Sequence, residues 1–518
     1  MTEASRPEQR SWFKGSLSLF LVLSAAVLWV LSDGRSVARE VILACVGLMA
    51  FALVKNRPFF ALALTLVAVN NPLNVLVISR LTNNILVACG LCLVVFLIAA
   101  GHLLGRKFPP VSTPLDRPFL WFSFLTLGYA LYGVFRGNPW SFVLEDLFPF
   151  VCFFGFYWAT KKVVGNPKEV QLLLILVGLS GLARAAYELY LEHAALFGVL
   201  MHGTEGLLMD MNIEGRGVPR IMDFMVLSPL LIGLAVLVLT RHLPRFSRKW
   251  LWLFVGILFY LLVLTFFRSL WVGFLVGLLV MWLAAEKKYR LRLAGAVVSL
   301  AVLLVSIGQI ARAVPGFQGL GLLRVATERA LFTLEQLDDP GVSDRASRNM
   351  EFYDILAAAR NSQFLGIGLG GTFQKTFYTE YDAAYPEIGV PEGKQHGVFN
   401  FFLGILLRMG LLGFLLCLHL VWIAGKEFLR VIRRMQPEPA RAYAIGLLAS
   451  LYGYGAALMT FAALYQFPIA AYMGTSVALV FLLERYAGAG FDEPRIQRSV
   501  QKTKRIQAVP IAGAFPAS

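Results

Sequence analysis

The sequence predicts an all-α fold: a polytopic transmembrane helical bundle of twelve to fourteen spans with one large, partly helical external loop. Three observations predict it. Of 518 residues, 58% are hydrophobic and only 15% charged, where a soluble domain carries roughly a quarter charged residues. Apolar runs long enough to cross a hydrocarbon core of about 30 Å recur along the chain. Lipid offers no partner to open backbone groups, so runs of this kind fold as helices.

The spans read as 16–32, 37–54, 58–78, 85–101, 118–135, 144–163, 169–190, 222–240, 250–267, 269–285, 292–308, 398–424, 442–461 and 467–484. The third is interrupted by "NNPLN" (70–74), which suits a broken or re-entrant helix. Four regions follow from this division. Residues 1–308 form an N-terminal transmembrane bundle, 309–397 a loop domain, 398–484 the last transmembrane helices and 485–518 a basic tail. Within the loop, 322–337 and 345–362 repeat apolar residues at helical spacing.

Charge sets the orientation. With the N-terminus inside, the cytoplasmic segments hold 30 Lys and Arg, and the short segments on the other side hold seven. That asymmetry is the positive-inside bias. The net charge of +16 is therefore a topology signal, and a nucleic-acid role is not expected. The basic tail "RIQRSVQKTKR" (495–505) reads as a cytoplasmic end that attracts anionic lipid. The first apolar run has no small-x-small cleavage site near its end and reads as a retained anchor. All five cysteines fall in expected spans, so no external disulfide framework is expected. Cys89 and Cys92 form a C-x-x-C without partner ligands, and packing is the better reading.

The residues that could carry chemistry gather at the external face. Arg268 lies in "LTFFRSLWVGF" (264–274), between two spans. There it either faces a wet cavity of the bundle or snorkels as a helix-end anchor. Arg216 and Arg220 precede the eighth span, and His396 stands at the start of the twelfth. A guanidinium fork matches two phosphate oxygens, and an imidazole can accept a hydroxyl proton. Several arginines with one histidine, and no metal-ligand cluster, suggest a lipid-linked phosphate substrate. Arg408 sits about ten residues into its span; a pathway role, an interhelical ion pair and an interior hydrogen bond are all open. Arg184 and Glu188 are four apart and suit pairing on one helix face. The run "GIGLGG" (366–371) lacks the strand–turn–helix setting of a dinucleotide loop and reads as a turn.

Three segments together resemble the O-antigen ligase/polymerase superfamily of bacterial membrane proteins. "TFFRSLWVGF" (265–274) is similar to its Arg-x-x-Trp-x-Gly pattern, with Arg268, Trp271 and Gly273 in register. "SRNMEFYDILAAARNSQFLGIGLGGTF" (347–373) is similar to a loop helix ending in a glycine turn, and brings Arg348. "HGVFNFFLGILLRMGLLG" (396–413) is similar to the following His-Asn…Gly-x-x-Gly helix. Counting back from Gly410, Phe399 holds the family's histidine position and Asn400 its asparagine position; His396 lies about one turn earlier.

The resemblance implies a glycosyltransferase of the bacterial inner membrane with a periplasmic active face. It would move a glycan from an undecaprenyl-diphosphate-linked donor to an acceptor hydroxyl, on lipid A-core or a growing glycan. Arg268, Arg220 and Arg216 would hold the diphosphate, and His396 would orient or deprotonate the acceptor. Arg348, Asn400 and Arg408 would support them. No cofactor and no metal are expected, because diphosphate is already a good leaving group. The competing class is a lipid-linked-sugar transporter or flippase, which suits the span count but predicts repeated halves and midplane binding groups.

Overall fold

The computed structural model describes residues 112–178, 208–213, 216–221, 226–240, 245–264, 268–313, 343–376, 394–398, 400–435, 438–459 and 467–487, with 59, 62, 63 and 66. The first, second and fourth expected spans, most of the third, Arg184, Glu188 and the expected helix 322–337 lie outside the described residues. About 84% of the structure is helical. Among the described residues, four helices are long and apolar enough to cross a membrane. The protein is an all-α, integral membrane bundle.

The carboxylate of Asp116, the first residue of helix α1 (Asp116–Phe135), ties down the chain just before the helix. The Thr113 backbone N–H donates to Asp116 Oδ2 at 2.9 Å, and its hydroxyl donates to Oδ1 at 2.8 Å. Helix α2 (Trp140–Val163) follows a four-residue connection and returns antiparallel. Its interior Pro149 has no N–H for the Glu145 carbonyl. At the far end the buried Lys161 pairs with the half-buried Asp116 and ties the start of α1 to the end of α2. Helix α3 opens at 167 and is described to 178.

Strands β1 (Leu208–Ile213) and β2 (Arg216–Ile221) then form an antiparallel ribbon across residues 214–215. Four helices follow: α4 (Leu227–Leu239), α5 (Arg245–Leu264), α6 (Arg268–Ala284) and α7 (Lys287–Ala313). Helix α4 is buried on every side, which suits its unbroken apolar sequence. Helix α8 (Ser343–Asn361) realises the expected loop helix, and short strands β3 (Phe373–Gln374) and β4 (Lys394–Gln395) pair after it.

The last three helices are α9 (Phe401–Arg434), α10 (Glu438–Leu458) and α11 (Phe467–Tyr486). The core forms where α6 and α4 pack on α10 and α11 packs on α2. Inside it the Ser228 hydroxyl donates to the Tyr472 hydroxyl at 2.5 Å. At the end opposite the loop, Arg441 pairs with Glu286 at 2.5 Å and Tyr289 donates to Glu438 at 2.6 Å.

Helix α9 corrects the expected span 398–424. It runs ten residues further and breaks at Gly410, whose φ is +64°. The apolar residues after the break, 411–424, rise only ~21 Å at about 1.5 Å per residue, short of a core of about 30 Å, and the last ten residues carry Lys426, Glu427, Arg430, Arg433 and Arg434. Arg408 therefore belongs to the apolar stretch itself, two residues before its break.

Candidate active site

The break in α9 creates the site. A helix interrupted at Gly410 leaves the carbonyls of Leu407 and Arg408 and the N–H of Leu411 without their helical partners. The turn after α8 supplies all three. Ile367 N–H donates to Leu407 O at 2.9 Å, Gly368 N–H to Arg408 O at 3.0 Å, and Leu411 N–H to Phe364 O at 2.9 Å. The turn manages this because Gly366, Gly368 and Gly370 take φ between +75° and +90°, open only to glycine without strain. A Cβ at Gly366 would meet Arg408 O at 2.5 Å.

The other side of the turn faces α1 and α2. Leu369 N–H donates to Tyr129 O at 3.2 Å, and the Asn138 side-chain amide donates to Ile367 O and Leu369 O at 3.1 and 2.9 Å. Gly370 N–H donates to Asp146 Oδ2 at 2.6 Å. Asp146, 1% exposed, also pairs with Arg408, 2% exposed. Arg408 in turn donates to the His396 backbone carbonyl at 2.8 Å.

His396 completes the cluster. Its Nε2 lies 3.5 Å from Asp146 Oδ1 and 4.0 Å from Glu145, and Phe142 stacks on its ring at 4.4 Å between centroids. Burial, and after it the positive charge of Arg408, pushes the imidazole down to about 3, against the pull of its hydrogen bond to the Gly371 backbone. His396 is neutral at pH 7, so its approach to Asp146 is a polar contact and not an ion pair.

Below this cluster the bundle turns apolar. Phe150 and Phe401 line both the small gap beside Asp146 and Arg408 and a cavity of about 440 Å³ that continues down to Phe428. Its walls are almost wholly apolar.

Of the residues expected from sequence, the structure brings His396 and Arg408 together. Asn400 stands next to them as the N-cap of α9: its side chain accepts from Leu403 N–H at 3.1 Å and donates to Met459 O at 2.5 Å. Its observed work is to start one helix and hold the end of another. Arg268 is the first residue of α6, Arg216 and Arg220 lie in β2, and Arg348 lies in α8. Their side chains, like Phe399, lie outside the described residues.

The rest of the Arg-x-x-Trp-x-Gly segment is explained. Trp271 Nε1 donates to Leu262 O at 3.0 Å, locking the start of α6 to the end of α5. A Cβ at Gly273 would meet Gly453 O at 2.5 Å, so glycine lets α6 lie directly on α10. These two contacts fix where the helix begins, and hence where Arg268 is attached.

Residues 252–418 match the O-antigen ligase family. Among curated proteins, none matches the chain. The matched segment runs from α5 to just past the break in α9. It contains Arg268, Arg348, the glycine turn, His396, Asn400 and Arg408. Asp146, Asn138, Arg216 and Arg220 fall outside it. The carboxylate that binds the segment's own Arg408 and glycine turn is thus supplied by α2. Sequence reasoning missed Asp146, although an ionisable residue inside an apolar span was signal enough. The family supports glycosyl transfer in polysaccharide assembly.

Proposed function

We propose that the protein transfers a glycan from an undecaprenyl-diphosphate-linked donor to an acceptor hydroxyl at the periplasmic face, as an O-antigen ligase or polysaccharide polymerase. One observation carries the reading: where a segment matching O-antigen ligases packs on α2, a buried polar cluster adjoins an apolar cavity between helices. An amphiphile with a charged head and a long hydrocarbon tail is the substrate such a junction suits.

In this reading Arg268, with Arg220 and Arg216, grips the diphosphate and stabilises the charge that develops as it leaves. Arg348 supports that grip. His396, neutral and a weak base, accepts a hydrogen bond from the acceptor hydroxyl and orients it for attack at the anomeric carbon. As the new carbon–oxygen bond forms, the bond from the anomeric carbon to the diphosphate breaks, and the hydroxyl proton passes to the departing diphosphate oxygens, so a strong base is not required. Asp146 and Arg408 position the His396 backbone and the glycine turn, and Asn400 sets where α9 begins. The partners are the lipid-linked glycan, an acceptor glycan or lipid A-core, and the bilayer of the inner membrane. Neither a metal nor a cofactor has a part in this scheme.

The test is glycan output in cells carrying Arg268→Ala or His396→Ala, each confirmed as expressed and inserted. The expected result is loss of exported glycan with lipid-linked donor accumulating on the periplasmic side. Normal glycan from both variants would sink the site assignment. Donor trapped on the cytoplasmic side in a deletion strain would replace glycosyl transfer with flipping.

A further inference from the structure

The turn that fills the break in α9 has an outer edge which the chemistry above leaves unused. After α8 the chain passes through Gln363 and Phe364 at φ of +53° and +58°. Side chains with a Cβ are disfavoured there. The effect is to direct two large apolar residues outward: Phe364 is 43% and Leu365 61% exposed. A water-facing turn would have no reason to hold them in that conformation.

Their surroundings are the lipid-facing side of the bundle. Phe364 O accepts from Leu411 N–H, and a Cβ on Gly410 would meet the Leu365 carbonyl carbon at 2.5 Å. Leu411, Leu412 and Leu415, which follow the break in α9, are likewise exposed apolar residues. Phe364 and Leu365 therefore extend an apolar stripe that already faces the bilayer.

Depth gives a second argument. Exposed Phe135 and Trp140 flank the α1–α2 connection and mark an aromatic belt. Leu369 bonds to Tyr129 O, six residues before Phe135. The Leu369 carbonyl accepts from Asn138 within the connection itself, so the glycine run lies at the level of the belt.

Backbone bonding gives a third. Irregular chain survives at membrane depth only if its polar groups are satisfied by protein. From 362 to 371, the N–H groups of Ser362, Gln363, Phe364 and Leu365, and then of Ile367 through Gly371, all donate to protein acceptors.

We propose that the Gln363–Leu365 turn is a membrane seat: Phe364 and Leu365 enter the acyl chains of the leaflet at the loop end. The occupant of this surface is lipid. Seated there, the turn holds the glycine run and Arg408 at the level where a membrane-borne substrate arrives laterally. The seat does not depend on which reaction the protein performs.

The test reads depth and not activity. Leu365→Cys carries a spin label in full-length protein whose five native cysteines are replaced by alanine, reconstituted in phosphatidylethanolamine/phosphatidylglycerol vesicles. Arg360→Cys serves as the aqueous reference and Leu415→Cys as the lipid reference. Labelled Leu365 is expected to collide with oxygen several-fold more than with a water-soluble nickel complex, matching Leu415. A nickel accessibility equal to that of Arg360 overturns the seat. If the cysteine-free protein does not fold, benzoylphenylalanine at position 364 in the otherwise native chain decides. Photocrosslinks to phospholipid support the seat, and crosslinks to protein alone overturn it.

Discussion

At the scale of single residues, the Asp146–Arg408 pair carries most of the consequence. Both are buried, so removing one leaves the other charged in a low-dielectric interior, a loss of about 3–5 kcal/mol. Asp146→Leu and Arg408→Met are each expected to lower the thermal midpoint in detergent sharply, whereas the double variant recovers most of it. If the double variant equals the worse single one, the two residues do not act as a pair. His396 gives a pH signature. Its folded pKa of about 3 lies below the ordinary ~6.5, so folding favours the neutral ring. That contribution is complete above pH 6.5 and is lost as pH falls toward 3. The midpoint of the native protein should therefore drop more steeply between pH 7 and 4 than that of His396→Asn. The same shift predicts no His396 inflection in a rate profile between pH 5 and 8. Little of this was legible beforehand. His396 and Arg408 stood out as polar residues at the start of an apolar run, but Asp146 in "VLEDLFPF" passed as part of the span 144–163. Its partners are far away in sequence, and no local pattern announces them.

At the scale of elements, glycines decide where helices break and where they touch. Gly410→Ala places a Cβ against Phe364 O at a φ that L-residues resist, and Gly273→Val forces α6 off α10. Each should cost at least about 1–3 kcal/mol by overpacking; unchanged thermal midpoints would contradict the close contacts. Trp271→Phe keeps the ring but loses the bond to Leu262 O, an expected loss of about 1 kcal/mol, read by the same measurement. The described helices were legible because each apolar run declares itself without reference to its neighbours. The break in α9 was not. Gly410 looks like any glycine in a membrane helix until the turn that satisfies its open groups is in place. The ribbon formed by β1 and β2 was also missed, since the expected connection carries no strong alternation and includes Pro219.

At the scale of the whole molecule, orientation is the property that every functional statement leans on. The sequence places Arg136 outside and Lys288 inside. In cells with a permeabilised outer membrane, an impermeant maleimide should label Arg136→Cys and spare Lys288→Cys; the opposite pattern would turn the protein over. The class of fold was readable from composition alone, because hydropathy is summed over many residues and tolerates local error. The site was only half readable, because it is assembled from a matched segment and from helices outside it.

That assembly has a cost in time. Asp146 enters the membrane with α2, but the Gly370 N–H that it accepts is made 224 residues later, and Arg408 later still. At roughly 5–20 residues per second, the ribosome needs about 10–45 s to reach that amide. For that interval the nascent chain holds a carboxylate in an apolar helix with its eventual partners unmade. Isolated acidic groups insert poorly, by about 2.5–3.5 kcal/mol at mid-helix. The young helix must wait near the headgroups and settle only when the far part of the chain arrives. Nascent chains released before residue 408 should leave α2 shallow and open to protease, so the last helices of this protein act as the completion signal for one of its earlier ones.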